Sequence, residues 1–198
     1  MTLGSHAQLP FLHGQTATLR DGDLLFYADS VSNPITDVTQ GIHGYPISHV
    51  AIVRIISNQV FTLEAIHRGV VLQPVDSTML HRRTGGHIFV GRVTAAWDRE
   101  QSMKNAMSYI GRPYDFYFDD TDSALYCSEL VQKSYVDHQG HHLFPTIPMS
   151  FHNQAGVITS YWTEYYRKAG RQVPEGAPGS NPGNLSRNGK LKIISQFI

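Results

Sequence analysis

The stretch ALYCSELVQKSY, residues 124–135, holds the one cysteine of the chain, Cys127, where helical spacing begins. Unpaired backbone N–H groups at the first turn of a helix favour an anion, so a thiolate is stabilised there. The same groups can hold the oxyanion formed when a sulfur attacks a carbonyl. Both effects require the cysteine at the start of the helix and nowhere else on it. Asp119, Asp120 and Asp122 lie just upstream. Pointing inward, they would oppose negative charge on the sulfur, and a nearby imidazolium would have to outweigh them.

A base is therefore required, and the chain offers eleven histidines. His49 stands apart because it opens the apolar run HVAIVRII (49–56) directly after Ser48. A strand fixes a side chain better than a loop does. The run QVFTLEAI (59–66) follows after Ser57-Asn58, the spacing of a tight hairpin. The two strands then lie side by side and bring Glu64 next to His49. Glu64 sits between Leu63 and Ala65, where an unpaired carboxylate is costly. A carboxylate that orients an imidazole accounts for both placements. From the residues alone two readings stand: a Cys-His-Glu nucleophile, or a buried structural thiol, since free cysteine packs as a small hydrophobe.

The elements that must position these groups follow from the same pattern. GDLLFYA (22–28), GVVLQPV (69–75) and HIFVGRV (87–93) read as further strands. Residues 98–111 place Met103, Ala106, Met107 and Ile110 at helical spacing before Gly111. A second helix starts near Cys127 and ends by Gly140. Residues 32–44 hold turn residues and one short helix, 158–170 a short amphipathic helix, and 190–197 a late strand. Residues 141–153 and the Pro/Gly-rich run 174–184 read as loops. The expectation is an α+β domain, an antiparallel sheet flanked by helices, over residues 22–198, preceded by an irregular N-terminal arm, 1–21.

Composition narrows the function classes. Sixteen Lys plus Arg balance sixteen Asp plus Glu, so no net basic field draws the chain to nucleic acid or anionic lipid. A single cysteine excludes an internal disulfide framework. No run of about 18 apolar residues occurs, so no integral membrane segment is expected. The first twenty residues lack a basic segment followed by an apolar one, so they do not read as a secretory signal; a cytoplasmic location and export with a leader removed both stay open.

The order GDLLF, SHVAIV, FTLEAI, GRPYDFYF, YCSELV resembles the YiiX/YebB-like group of the NlpC/P60 superfamily, circularly permuted papain-like cysteine hydrolases in which the histidine strand precedes the cysteine helix. The match covers residues 22–135, and PGNLSRNGKLKII (182–194) is similar to the late segment of the group. The resemblance implies Cys127 as nucleophile, His49 as general base, Glu64 as the orienting residue and Tyr114, in GRPY, beside the oxyanion or substrate. It implies a thioester mechanism without a cofactor. It implies a substrate with a cell-wall-peptide amide or a lipid acyl group, or, failing catalysis, a ligand-binding module. Oligomeric state stays open. The loops 29–47 and 138–184 resemble the group least, and specificity is expected there.

Other clusters carry weaker chemistry. Asp119, Asp120 and Asp122 lack the glycine and distal glutamate of a calcium loop. His138, His141 and His142 have no second cluster at zinc spacing, so no metal site is expected. Tyr161, Trp162, Tyr165 and Tyr166 read as core and rim packing rather than a lipid or sugar platform. Ser128 reads as support for the helix start, and Ser48 has no visible base of its own.

Overall fold

A computed structural model describes residues 6–8, 18–75 and 86–197. Strands β3 (Leu24–Ala28), β4 (Ile47–Ile56), β5 (Gln59–Ile66), β6 (Gly69–Pro74), β7 (His87–Val93) and β10 (Leu191–Phe197) form one sheet in the order β10-β7-β3-β4-β5-β6. Every pairing in it is antiparallel. Strands β4 and β5 turn through Ser57 and Asn58, both left-handed at φ 49 and 63, the backbone of a two-residue hairpin turn.

Alternation divides the sheet between two apolar clusters. Leu24, Phe26, Val50, Ile52, Leu63, Ala65 and Phe89 face the main core. Helices α2 (Arg99–Ser108) and α3 (Cys127–Ser134) supply Met103, Ala106, Leu130 and Val131 to it. Leu25, Tyr27, Ala51, Val53 and Val90 form the second cluster together with Leu19.

The described parts of the arm include two strands where composition predicts irregular chain. β1 (His6–Gln8) and β2 (Thr18–Arg20) pair antiparallel, and Leu19 is fully buried. Three-residue strands are too short to show a period. The region 32–44 holds helix α1 (Pro34–Val38), capped by Asn33, and a separate 3-10 turn at Ile42–Gly44. Residues 158–170 give α4 (Ser160–Lys168). The run 174–184 is not all loop. Pro178–Gly179 pairs as β9 with β8 (Ile147–Pro148), and α5 (Pro182–Ser186) begins behind an Asn181 cap. Asn followed by proline at the first helical position is a start signal that the surrounding prolines and glycines conceal.

Two contacts fix the frame beneath the site. Asp23, 2% exposed, receives two bonds from the Arg92 guanidinium, at 2.8 and 2.6 Å, and one from the Arg20 N–H. These tie β3 to β7 and to β2. At Gly69, φ is +104 and a Cβ would stand 2.5 Å from the Arg112 carbonyl. Val70 donates to that carbonyl and Gly111 donates to Val70, so the strand holds the segment that leads to Tyr114.

Replacing Asp23 with Ala leaves Arg92 without its buried carboxylate and is expected to cost about 3 kcal/mol. Urea unfolding at neutral pH reads that loss directly; a change within about 0.5 kcal/mol would show the pair to be dispensable.

Candidate active site

Cys127 is the first helical residue of α3, with Tyr126 at the cap position. Its own N–H and those of Ser128 and Glu129 therefore precede the first helical hydrogen bond, from Leu130 to Tyr126. Cys127 is 6% exposed and lines a cleft. The helix tip is held from outside: Ser180 Oγ donates to Ser128 Oγ at 3.0 Å, and Ser180 N–H donates to the Tyr126 phenol at 2.9 Å.

His49 lies at the end of the sheet. The β4–β5 ladder stops at Ile52–Leu63, and the β3–β4 register shifts between Tyr27 and Ala28. Such an irregularity re-aims the side chains beside it. The imidazole is one-fifth exposed and lies 5.4 Å, centroid to centroid, from the Tyr27 ring. Nε2–H donates to Glu64 Oε2 at 2.7 Å, and the Cys127 side chain lies near enough to the ring to act on its charge. With Nε2 engaged, Nδ1 is the nitrogen left for the sulfur.

Glu64 has no exposed surface. Its second oxygen, Oε1, accepts from Thr62 Oγ1 and Gln73 Nε2, both at 2.9 Å. Thr62 is two residues away on the same strand, and Gln73 stands directly opposite Thr62 on β6. The carboxylate thus reaches the imidazole from a cradle set by strand register. Burial by itself would push the His49 ring down. Hydrogen bonds and opposite charge from Cys127 and Glu64 outweigh it and raise the ring to about 9.

The upstream acids turn away from the sulfur. Asp119 pairs with Arg171, while Asp122 and Asp120 reach Lys133 at 2.6 and 3.5 Å. Glu129, at the third helical position, is buried instead; it accepts weakly from Tyr126 N–H at 3.4 Å and meets Lys133 at 3.3 Å. Burial pushes its carboxyl up to about 8 against the pull of that lysine. Tyr114 is bridged to Leu125, two residues before the sulfur, and lines both clefts of the site. Burial, with the charge of Cys127, holds its phenol well above the ordinary range.

The structure thus brings Cys127, His49, Glu64 and Tyr114 to one place. Thr62, Gln73, Ser180 and the buried Glu129 escape sequence reading. Thr62 and Gln73 were recoverable, because the turn before Gly69 sets them opposite each other beside Glu64. Trp162 and Tyr166 are buried in a satellite cluster with Met149 and Phe151, and Trp162 also lines the cleft at the sulfur.

Comparison with known proteins bears on family and fold. A model of a permuted papain-like amidase enzyme family, YaeF/YiiX, C92, matches residues 18–195. The uncharacterized protein YiiX of Escherichia coli strain K12 is 33% identical over 96 residues, 47% of this chain and 46% of that protein. The match thus spans about half the length of that relative. A crystal structure described as metalloprotein yiiX, from Escherichia coli O157:H7, superposes with a TM-score of 0.70 at 22% identity, covering 88% of this chain and 96% of that one. At that identity the likeness shows the fold.

The His49 ring is expected to titrate near 9 by NMR. Glu64→Gln and Cys127→Ala each remove a partner that favours the charged ring, so each lowers the midpoint. An unchanged midpoint in Glu64→Gln would show that the carboxylate does not act on the imidazole.

Proposed function

Because this chain belongs to the permuted papain-like amidase family YaeF/YiiX (C92), we propose that it hydrolyses an amide bond through a thioester on Cys127. The observation that carries this reading is one imidazole bonded to a buried carboxylate and raised by the thiol beside it. Residues 22–198 are then one catalytic domain, with 1–21 as its arm.

Each residue has one task. Cys127 and His49 rest as a thiolate–imidazolium pair, which the raised ring favours. The sulfur attacks the carbonyl, and the Cys127 N–H with the Tyr114 hydroxyl receives the oxyanion. Burial keeps that hydroxyl protonated at working pH, so it remains a donor. His49 protonates the leaving nitrogen and then takes a proton from the water that cleaves the thioester. Glu64 holds the ring in one orientation and tautomer. A cell-wall peptide and an acylated amine both contain such a bond.

The solved relative is described as a metalloprotein. Among the described residues here, no three His, Cys, Asp or Glu side chains gather as a bound ion requires, and His49 Nε2 is committed to Glu64. The donor set does not fit a metal, and no step runs through one.

The thiol is expected to react with iodoacetamide at pH 6 at least about tenfold faster than a free cysteine, and His49→Ala removes the advantage. Intact mass should show an acyl adduct on the wild type with a cleaved amide, absent in Cys127→Ala. Hydrolysis, which needs the imidazolium, should fall as pH rises through about 9, while alkylation, which needs only the thiolate, should not. Ordinary thiol reactivity with no adduct from any amide would leave a binding module of the same fold.

A further inference from the structure

The chain of hydrogen bonds behind His49 does not end at Glu64. Gln73 Nε2–H donates to Glu64 Oε1 at 2.9 Å, and the other end of the same amide, Gln73 Oε1, accepts from the Arg68 guanidinium. Arg68 lies in the two-residue turn, His67-Arg68, between β5 and β6. It is exposed, and Gln73 is half-buried on β6, the last strand in the sheet order. Neither is among the described lining residues of the two clefts, so an effect of either on the reaction would have to pass through Glu64.

Donor and acceptor types give this chain one sense. A guanidinium has donors only, and an ionised carboxylate has acceptors only. An amide between them turns its oxygen to the arginine and its nitrogen to the glutamate. A half-buried glutamine without such a clamp has water as a rival partner and several rotamers to visit. With Arg68 in place, turning away from Glu64 breaks two charge-assisted bonds at once. The turn that carries Arg68 is itself pinned: Gly69, the next residue, lies against the Arg112 carbonyl, and Val70 donates to that carbonyl at 2.8 Å.

The consequence reaches the ring. Thr62 Oγ1–H and Gln73 Nε2–H both meet Glu64 Oε1, while Oε2 faces His49 Nε2 at 2.7 Å. The last torsion of a glutamate is broad when unrestrained. Two donors on one oxygen, one from β5 and one from β6, stop the carboxylate from rotating about it. We propose that Gln73, oriented by Arg68, is a positioning residue: it fixes the rotation of the Glu64 carboxylate and so the direction in which the His49 ring meets Cys127. This role rests on the thiolate–imidazolium reading above and extends it to two residues that act only through Glu64.

The test uses the full chain and three substitutions. Gln73→Met keeps the length of the side chain and removes both hydrogen-bonding ends. Arg68→Glu, on the exposed turn, replaces a donor by an acceptor and favours the opposite orientation of the amide; Arg68→Lys still only donates. Iodoacetamide alkylation of Cys127 at pH 6 is expected to slow at least about threefold in Gln73→Met and Arg68→Glu, and to stay within about twofold of wild type in Arg68→Lys. Proton NMR supplies a signature that a merely structural role would not move. The His49 Nε2–H resonance, sheltered by Glu64 in the wild type, should be lost to solvent exchange in Gln73→Met and Arg68→Glu and kept in Arg68→Lys. An unchanged alkylation rate and an intact resonance in folded Gln73→Met overturn the positioning role and leave the thioester reading standing. A wild-type thiol that reacts no faster than a free cysteine, with no adduct from any amide, overturns the thioester reading, and the resonance then decides the role of Gln73 by itself. If Gln73→Met does not fold, the two Arg68 variants decide.

Discussion

The contact on which the rest of the site depends is the one between the His49 ring and the Glu64 carboxylate. A carboxylate with no exposed surface is stable only where every lone pair it turns inward is met. His49, Thr62 and Gln73 meet them. Thr62 and Gln73 are placed by the pairing of β5 with β6, and His49 by the end of β4 beyond its ladder with β5, where the β3–β4 register shifts. A slip of one residue in either pairing would turn Glu64 toward the apolar face, so the polar cradle and the sheet register enforce each other.

The helix tip is set by a different kind of constraint. The buried apolar side chains Leu130 and Val131 settle α3 on the main core, and the Tyr135 hydroxyl donates to the Gly22 carbonyl at 3.0 Å, anchoring its far end to the start of β3. The near end is tied to residue 180 through Tyr126 and Ser128. Packing thus fixes the sulfur along one direction and hydrogen bonds fix it along the other. Preorganisation of this sort is what lets a nucleophile and its base meet without rearrangement.

What the sequence disclosed divides along the same line. The hairpin, the helix that begins at Cys127 and the adjacency of His49 and Glu64 are local: a period, a turn and a strand length determine them. The acidic residues before Cys127 are ambiguous in sequence, because their effect depends on whether Arg171 and Lys133, 52 and 11 residues distant in the closest bonds, fold back to them. The cleft walls are less legible still. Ile35, Phe118, Phe151 and Trp162 come from four separate segments, and no spacing rule connects them. The α5 start at Pro182 was readable in principle, yet it lies in a run whose composition predicts a loop.

The arrangement of acids completes the electrostatic argument. Besides Asp29, which lines the cleft at His49, six acids among the described residues lie near the site in sequence or in space, and their placement bears on the charge around the sulfur. Asp119, Asp120 and Asp122 are paired outward. Asp115 is buried, accepts from the Tyr117 N–H, and is pushed upward chiefly by burial. Burial also raises Glu129, so the acid nearest the helix tip carries less charge at neutral pH than an exposed glutamate would. Glu64 faces the imidazole, which it meets through Oε2 at 2.7 Å. The His49 ring is thereby raised by its two side-chain neighbours, Cys127 and Glu64, despite the desolvation that opposes it.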